Sequence, residues 1–394
     1  MSYITKNYSI WEEEPPSKRR TCMLMITHAC NLNCSYCYET HKHNTYMSVN
    51  QAKKLIEQEA QLVMSDERFN EIQIDFMGGE PMMNFPLIRE IVEWLEDGAI
   101  SVPWICFAST NATLLTDAVK DWLRLHKESI ILSASYDGSM KMQSTNRGTD
   151  KYSIALDFFH ELWPEQTFQM TISKDTLASL AEGVLYIQRK GYDVSASLAQ
   201  GVEWTKEDAI LYREQLCILK EAYISDLKLK PFNRLIRVLD LFRVESADRV
   251  QVQGCGTGTH MVTYDIDGNR YGCHMFSPIV LGSEYALLTD SVEWEKPNLM
   301  ADDYCKECVL RMFCPTCPGF NYKYRGDFAK RDKRWCPLVL VEAITACEFQ
   351  IERLSKMDKL DKIDAEYGKA AVTAYNILKD IDINTAQSPY MIQH

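Results

Sequence analysis

The feature that most constrains this 394-residue chain is a loop near its start that carries three cysteines. Cys30, Cys34 and Cys37 follow a C-x3-C-x2-C pattern. A cubane iron–sulfur cluster is usually held by four thiolates, so a set of three leaves one iron open to a small molecule. Zinc is the alternative, but a structural zinc site needs four ligands, and His28 or His41 would have to complete it. The pattern therefore favours an iron–sulfur cluster with one exchangeable corner.

Composition narrows the classes of protein that this chain can belong to. The formal net charge of −12 argues against a nucleic-acid-binding surface, which usually shows as a basic domain. No run of about 18 apolar residues is present, so no membrane span is expected. The start of the chain is acidic and lacks the layout of a signal peptide, so a cytoplasmic location is predicted. Ten of the fourteen cysteines fall within 30–37 and 255–336, and such clustering in a reducing compartment indicates metal binding.

Alternating strand and helix patterns predict an α/β fold. Each of six β-rich runs is followed by a helical pattern, which indicates a parallel sheet with helices outside. Six units are fewer than the eight of a closed barrel, so a partial (β/α)6 TIM-like barrel is expected. The predicted strands are 23–28, 72–77, 104–109, 130–135, 168–172 and 194–198. The predicted organisation is a lead-in (1–21), the barrel (22–224), a bridge (225–254), a cysteine-rich module (255–340) and a helical tail (341–394).

Polar and glycine residues follow the predicted strands at the end where parallel barrels carry their chemistry. The second strand runs into Gly78-Gly79-Glu80-Pro81, and the third ends at Ser109 and Asn111. Glycines let the backbone approach a ligand closely, and a carboxylate accepts hydrogen bonds from a cationic amino group. An ordinary turn is the alternative for the first motif, and a helix N-cap is the alternative for Asn111.

The cysteine loop followed by Gly-Gly-Glu-Pro resembles the radical S-adenosylmethionine (radical SAM) enzymes. The resemblance implies that Cys30, Cys34 and Cys37 hold a [4Fe–4S] cluster whose open iron binds the amino and carboxylate groups of SAM. It further implies that Tyr36 packs against the adenine, although a simple core aromatic is the alternative. Ala112 stands where the family often has glycine. The SAM contacts implied by the resemblance are Tyr36, Gly78, Gly79, Glu80, Ser109, Asn111 and Ser133.

The downstream cysteines resemble the SPASM extension of peptide-modifying radical SAM enzymes, which carries two auxiliary [4Fe–4S] clusters. Residues 264–271 predict a β-hairpin that brings Cys255 and Cys273 together, and a C-terminal helix is expected to follow the module. The resemblance implies two ligand sets and three clusters in all. The first auxiliary set is Cys255, Cys273 and Cys317, and the second is Cys305, Cys308, Cys314 and Cys336. Structural zinc is the alternative, although paired C-x2-C motifs that bind zinc are usually further apart.

The predicted function is that of a peptide maturase that cleaves SAM and abstracts hydrogen from a ribosomally made precursor peptide to form a cross-link. Formylglycine formation, as in sulfatase-maturing members, is the runner-up. A catalytic Asp follows the hairpin cysteine in those members, whereas His274 stands there in this chain. His274 is a candidate proton acceptor, with a structural role as the alternative. From another class, a non-catalytic iron–sulfur electron carrier or a zinc-stabilised binding protein remains an alternative.

The expected partners follow from this chemistry. They are the precursor peptide and a reductant such as flavodoxin or ferredoxin, with no nucleic acid and no membrane. Because the first cluster cysteine is already at position 30, no leader-recognition domain is expected before the barrel. Leader binding would then need another surface of this chain or a separate leader-recognition protein.

Overall fold

The computed structural model describes residues 18–148, 154–236, 255–287, 292–295, 299, 302–306, 308–311 and 313–382. Most of the predicted lead-in, and residues 237–254 of the predicted bridge, lie outside the described residues.

Six parallel strands form the first part of the chain. They are β1 (Arg19–Thr27), β2 (Glu71–Gly78), β3 (Trp104–Thr110), β4 (Ile130–Ala134), β5 (Phe168–Ile172) and β6 (Val194–Leu198). β1 to β4 pair in sequence order, β5 pairs with β6, and a parallel bridge between Ser135 and Gln169 links the two groups. The strands do not close into a ring, so the predicted partial barrel is confirmed. β1 begins at Arg19, earlier than the predicted boundary at residue 22.

Seven helices accompany these strands and five follow them among the described residues. The first group is α1 (Val49–Ser65), α2 (Phe85–Glu96), α3 (Asp117–Leu125), α4 (Met140–Arg147), α5 (Leu156–Leu162), α6 (Leu180–Gln188) and α7 (Lys206–Ser225). The second is α8 (Pro278–Leu281), α9 (Ser283–Leu287), α10 (Pro318–Arg325), α11 (Cys336–Ser355) and α12 (Lys362–Leu378). Side-chain caps begin several of them, as at Ser48, whose hydroxyl accepts from the Gln51 N–H. None of the helices in the described part of the chain has the length and apolar content that a bilayer crossing requires.

The cysteine-rich module contributes a hairpin that extends the barrel sheet. Its strands are β7 (Met261–Tyr264) and β8 (Arg270–Tyr271), and Gly268 in the turn has φ +87°. The hairpin was predicted, but its pairing was not: β7 runs parallel to β1 over four residues. β1 therefore lies between β2 of the barrel and β7 of the module.

The two faces of β1 pack against different cores. Leu24 and Ile26 face the helices in the main core and are fully buried. Met25 points the other way and packs with Met275 and Phe276 of the module. Because alternate residues of a strand point to opposite faces, one strand joins both cores.

A buried ion pair fastens the hairpin to the barrel. The Arg20 guanidinium on β1 contacts Glu59 of α1 at 2.6 Å, and the Tyr264 hydroxyl of β7 donates to the other Glu59 oxygen at 2.6 Å. Glu59 is 4% exposed, so its charge depends on these two partners. The three side chains link a strand, a helix and the hairpin.

Candidate active site

The cysteine loop leaves β1 at the carboxyl end of the strand and is fixed by backbone hydrogen bonds. The Ser35 N–H donates to the Asn146 carbonyl at the end of α4 (2.8 Å). The Glu80 N–H after β2 donates to the Ala29 carbonyl (2.9 Å). The loop is thus held between two elements of the barrel, although it has little regular secondary structure of its own.

The loop opens into a cavity of about 340 Å³ at the carboxyl ends of the strands. Most of the predicted SAM-side residues line this cavity. They are Cys30, Cys34, Cys37, Tyr36, Gly78, Gly79, Glu80, Ser109 and Asn111. Ser133 is not among the lining residues: it is buried on β4, and its hydroxyl donates to the Thr167 carbonyl at 3.4 Å. Ser135, two residues further along the chain, lines the cavity instead.

The three thiols are poorly solvated and lie near one another. Burial raises the pKa of the Cys34 thiol to about 11, although Arg147 acts in the opposite direction. Burial also raises the pKa of Cys30, and the Cys37 thiol adds to the effect. Desolvated thiols disfavour the free thiolate, which a bound metal stabilises. Soft sulfur donors facing a cavity fit an iron–sulfur cluster.

Gly78 and Gly79 allow β2 to approach the cysteine loop. A Cβ on Gly78 would lie 2.0 Å from the Thr27 carbonyl oxygen, and one on Gly79 would lie 2.4 Å from that of Ala29 and 2.8 Å from the Cβ of Cys30. Real Cβ atoms almost never lie within 3.0 Å of a heavy atom elsewhere in the chain, so a side chain at either position would force the backbone of β1 or of the cysteine loop to shift. These glycines are needed for contact between β2 and the loop, whatever they contribute to a ligand.

Glu80 is fully enclosed and links the ends of β2 and β3. One carboxylate oxygen accepts from the Thr110 hydroxyl (2.7 Å) and the Met82 N–H (3.0 Å), and the other accepts from the Asn111 N–H (2.7 Å). Burial raises the pKa of Glu80, and these hydrogen bonds oppose that rise. A carboxylate offers about four acceptor sites, so the oxygen that accepts from the Asn111 N–H can still accept from a cationic ligand.

The turn after β3 uses an uncommon backbone conformation. Ala112 has φ +60°, which disfavours residues with a Cβ and explains why glycine is common at this place in the family. The Asn111 side chain accepts from the Thr113 N–H and donates to the side-chain oxygen of Asn31 in the cysteine loop (2.9 Å). Asn111 therefore supports the cysteine loop as well as lining the cavity.

Tyr36 is held by an ion pair at the end of β4. Its hydroxyl donates to Asp137 at 2.5 Å, and the Arg147 guanidinium donates to both oxygens of the same carboxylate at 3.1 Å. Asp137 is fully buried, and Arg147 lies 5.8 Å from the centre of the Tyr36 ring. Burial and the Asp137 charge raise the pKa of Tyr36, so the phenol stays neutral. The ring is fixed against the cavity wall beside Cys37.

Two charged residues of the cavity wall were not predicted. Glu39 and Lys42 follow Cys37 closely and line the cavity. Burial raises the pKa of the Glu39 carboxyl to about 8, although Lys42 and Lys323 oppose the rise. Glu39 and Lys42 follow Cys37 closely in the sequence, and this position was the feature from which their place on the cavity wall could have been predicted.

The downstream cysteines act on one another electrostatically in two groups. Burial is the main cause that raises the pKa of Cys273, and the thiols of Cys317 and Cys255 add to it. Burial raises the pKa of Cys336 to about 12, with further contributions from the second group. Those contributions come from Cys314, Cys308 and Cys305. Such mutual effects require proximity and fit two sets of cluster ligands. Among the described residues, no three Cys, His, Asp or Glu side chains converge as they do around a single metal ion.

His274 lies behind the cavity wall. Its Nε2 is 3.3 Å from the Tyr38 hydroxyl, and Tyr38 lines the cavity. Its Nδ1 is buried without a hydrogen-bond partner. Burial lowers the pKa of His274 to about 4, so the ring is neutral at ordinary pH. His274 therefore contacts the cavity through Tyr38.

Comparisons with known proteins agree with this geometry. The family model described as a 4Fe-4S single cluster domain matches residues 19–155. An uncharacterized protein of Archaeoglobus fulgidus is 30% identical over 347 residues, which are 79% of this chain and 77% of that protein. The radical SAM cyclopropyl synthase TigE of Paramaledivibacter caminithermalis is 25% identical over 175 residues, which are 40% of this chain and 36% of TigE. The chain spans less than two fifths of the length of the first curated relatives that it matches, with 38% and 36% of their sequences covered.

The fold is also found among solved structures. Native anSMEcpe with bound AdoMet and the Kp18Cys peptide superposes with a TM-score of 0.61 at 14% identity, covering 91% of this chain and all of that one. At this identity the likeness concerns the fold. Together with the cysteine loop at the cavity and the sequence relatives, it shows that the chain belongs to the radical SAM family of the SPASM type.

Proposed function

We propose that this protein is a radical SAM peptide maturase, with SAM bound in the 340 Å³ cavity. The observation that carries the proposal is the convergence of three loop thiols and the Gly78-Gly79-Glu80 turn on one cavity. With one electron from an external reductant, a bound [4Fe–4S] cluster and SAM would supply methionine and a 5′-deoxyadenosyl radical, and the radical would abstract hydrogen from an unactivated carbon.

The residues of the chain have separable roles in this proposal. Cys30, Cys34 and Cys37 hold the first cluster and leave its fourth iron to SAM. Glu80 accepts from the ligand's amino group, and Tyr36, fixed by Asp137, bounds the adenine side of the cavity. The cavity is partly open, so a bound substrate would complete the exclusion of water that limits quenching of reactive intermediates.

The seven downstream cysteines are proposed to hold two more [4Fe–4S] clusters. Cys255, Cys273 and Cys317 form one ligand set, and Cys305, Cys308, Cys314 and Cys336 form the other. Their mutual effects on pKa support these groupings. Six of these seven cysteines are buried or half-buried, which suits cluster ligation, and Cys255 is exposed.

The proposed substrate is a ribosomally made precursor peptide in which a cross-link is formed. The likeness to TigE, named a cyclopropyl synthase, supports a bond-forming reaction. The fold shared with anSMEcpe, which was solved with a peptide, is compatible with a peptide substrate. His274 is proposed to position Tyr38 at the cavity wall.

Anaerobic reconstitution tests the function. The expected result is about 12 iron atoms per chain for three clusters and reductant-dependent release of 5′-deoxyadenosine. Cys34→Ala should abolish SAM cleavage. Cys308→Ala should retain part of it but lose the mass change of a precursor peptide encoded beside the gene. A colourless, zinc-loaded protein that leaves SAM intact would contradict the proposal.

A further inference from the structure

The second cysteine group lies within a basic segment of an acidic protein. Residues 302–336 contain eight Lys and Arg against five Asp and Glu, whereas the whole chain has a net charge of −12. Four of these cations are exposed. They are Lys306, Lys330, Lys333 and Arg334. The segment therefore forms a positive patch on a negative molecule, which attracts partners of the opposite charge.

The patch lies over the cysteine group itself. Lys306 directly follows Cys305 in the chain. The Lys333 ammonium sits 3.6 Å from the centre of the Tyr304 ring. Tyr304 directly precedes Cys305 in the chain, so this ammonium lies over the turn that carries the first cysteine of the group.

The thiols under the patch are close to solvent. Cys308, Cys314 and Cys336 are only half-buried, and Cys305 is buried. Cys30, Cys34 and Cys37 are half-buried too, and they face the cavity at the carboxyl ends of the strands. A redox group held by the second set would be within reach of a protein that docks on this surface.

Two carboxylates of the segment are engaged locally, whereas Asp303 and Asp327 are exposed. Asp332 pairs with Arg334 at 2.8 Å and Arg325 at 3.5 Å. Asp302 accepts from the N–H groups of Tyr304 and Arg331. They offset part of the charge but leave Lys306, Lys330 and Lys333 facing solvent.

We propose that this basic patch docks an acidic one-electron carrier protein of the flavodoxin or ferredoxin class. The proposal rests on the proposed function, since it assigns a docking place to the reductant that this function requires. On contact, one electron leaves the reduced carrier and enters the adjacent cluster, so the carrier is oxidised by one electron as the cluster is reduced. The net charge of −12 repels an extended polyanion such as a nucleic acid, whereas a small acidic protein can confine its contact to the positive patch.

Binding of oxidised flavodoxin to the reconstituted protein tests the proposal without turnover. The variant is Lys306→Glu/Lys330→Glu/Lys333→Glu. The matched control is Lys54→Glu/Lys228→Glu/Lys362→Glu, which changes the net charge equally at exposed lysines elsewhere. Titration at about 0.01 M salt, where the Debye length is about 30 Å, maximises the electrostatic contribution.

The patch variant should raise the Kd for flavodoxin by about tenfold or more, and the control by less than about twofold. The difference should shrink with added salt. Equal Kd values for the patch variant and the control would overturn the proposal. Dithionite, which needs no docking site, should still support 5′-deoxyadenosine release by the patch variant. If dithionite fails with the unaltered protein, the proposed function fails instead.

Discussion

The cysteine loop after β1 and the cysteine-rich module hold their thiols by different means. The loop follows β1, in which Leu24 and Ile26 are fully buried. Backbone hydrogen bonds to two barrel elements fix the loop in place. Between α9 and α10, the described residues of the module contain one regular element, the 3₁₀ turn Asp303–Cys305. Hydrophobic burial can therefore form the loop's supports without metal. The module's turns have fewer such supports, chiefly the buried side chains of Leu310 and Phe313 and local hydrogen bonds, so ligand bonds would contribute more to their order.

Iron removal is expected to produce the largest difference in stability between the two regions. Structural metal sites contribute folding energy directly, so chelation should unfold the module's turns and leave the barrel folded. Hydrogen exchange should show roughly a hundredfold or greater loss of protection at 302–317. Protection in β2 and β3 serves as the internal control and should change little. Unchanged protection of the module after iron loss would refute the contrast.

The buried ion pair tests how firmly the regions are joined. Glu59→Ala leaves Arg20 buried without its partner and should cost about 3–5 kcal/mol in the free energy of unfolding. Tyr264→Phe removes one hydrogen bond and should cost about 1 kcal/mol. Both are measured by denaturant titration.

An exposed pair provides the control for that measurement. Glu90 contacts Lys53 at 3.0 Å, and about half of its side chain is exposed. Glu90→Ala should therefore lower the free energy of unfolding by less than about 0.5 kcal/mol. A loss for Glu59→Ala no greater than for Glu90→Ala would show that the hairpin is held by other contacts.

A buried carboxyl on β2 makes the barrel's stability depend on pH. Burial raises the pKa of Asp75 to about 6, above its ordinary value of 3.8. The native state therefore disfavours the charged form, and stability falls as pH rises from about 4 through 6. Asp75→Asn removes this penalty and should stabilise the protein by up to about 3 kcal/mol at pH 7.5, with little difference at pH 4.

Denaturation at both pH values measures this gain. The exposed Asp358→Asn serves as the control and should have no comparable pH dependence. A gain for Asp75→Asn that is equal at the two pH values would rule out the titration of this carboxyl as its cause.

The smallest effect is expected at the turn after β3. Ala112 has φ +60°, and a left-handed conformation costs a residue with a Cβ about 1–2 kcal/mol. Ala112→Gly relieves this strain, and the greater freedom of glycine in the unfolded chain offsets part of the gain. A net stabilisation of up to about 1 kcal/mol is expected by thermal denaturation. Ala112→Val should destabilise, and a Gly variant less stable than the parent would contradict the strain argument.

The six barrel strands could be predicted from local pattern, because alternation and following polar turns are encoded within a few residues. α4 was missed because its sequence, MKMQSTNR, has little apolar periodicity. Its boundaries are set instead by the Ser139 cap and by Gly148 in a left-handed conformation.

The site was predicted in part for a similar reason. The loop cysteines, Gly78, Gly79 and Glu80 carry motif spacing, so their position on the cavity followed from the resemblance. Ser133 was placed there by its motif, but the register of β4 puts it against Thr167 instead. The parallel pairing of β1 with β7 joins residues about 240 positions apart, which no local pattern encodes.

The shared strand has a consequence for cutting or grafting this protein. Thr21 to Leu24 of β1 pair with Met261 to Tyr264 of β7. Removing everything after residue 254 would bare the backbone donors and acceptors along that side of β1, which is the kind of sheet margin that recruits other chains. A truncated barrel is therefore expected to aggregate. The later segment completes the first sheet and is not an independent domain that can be removed or transferred.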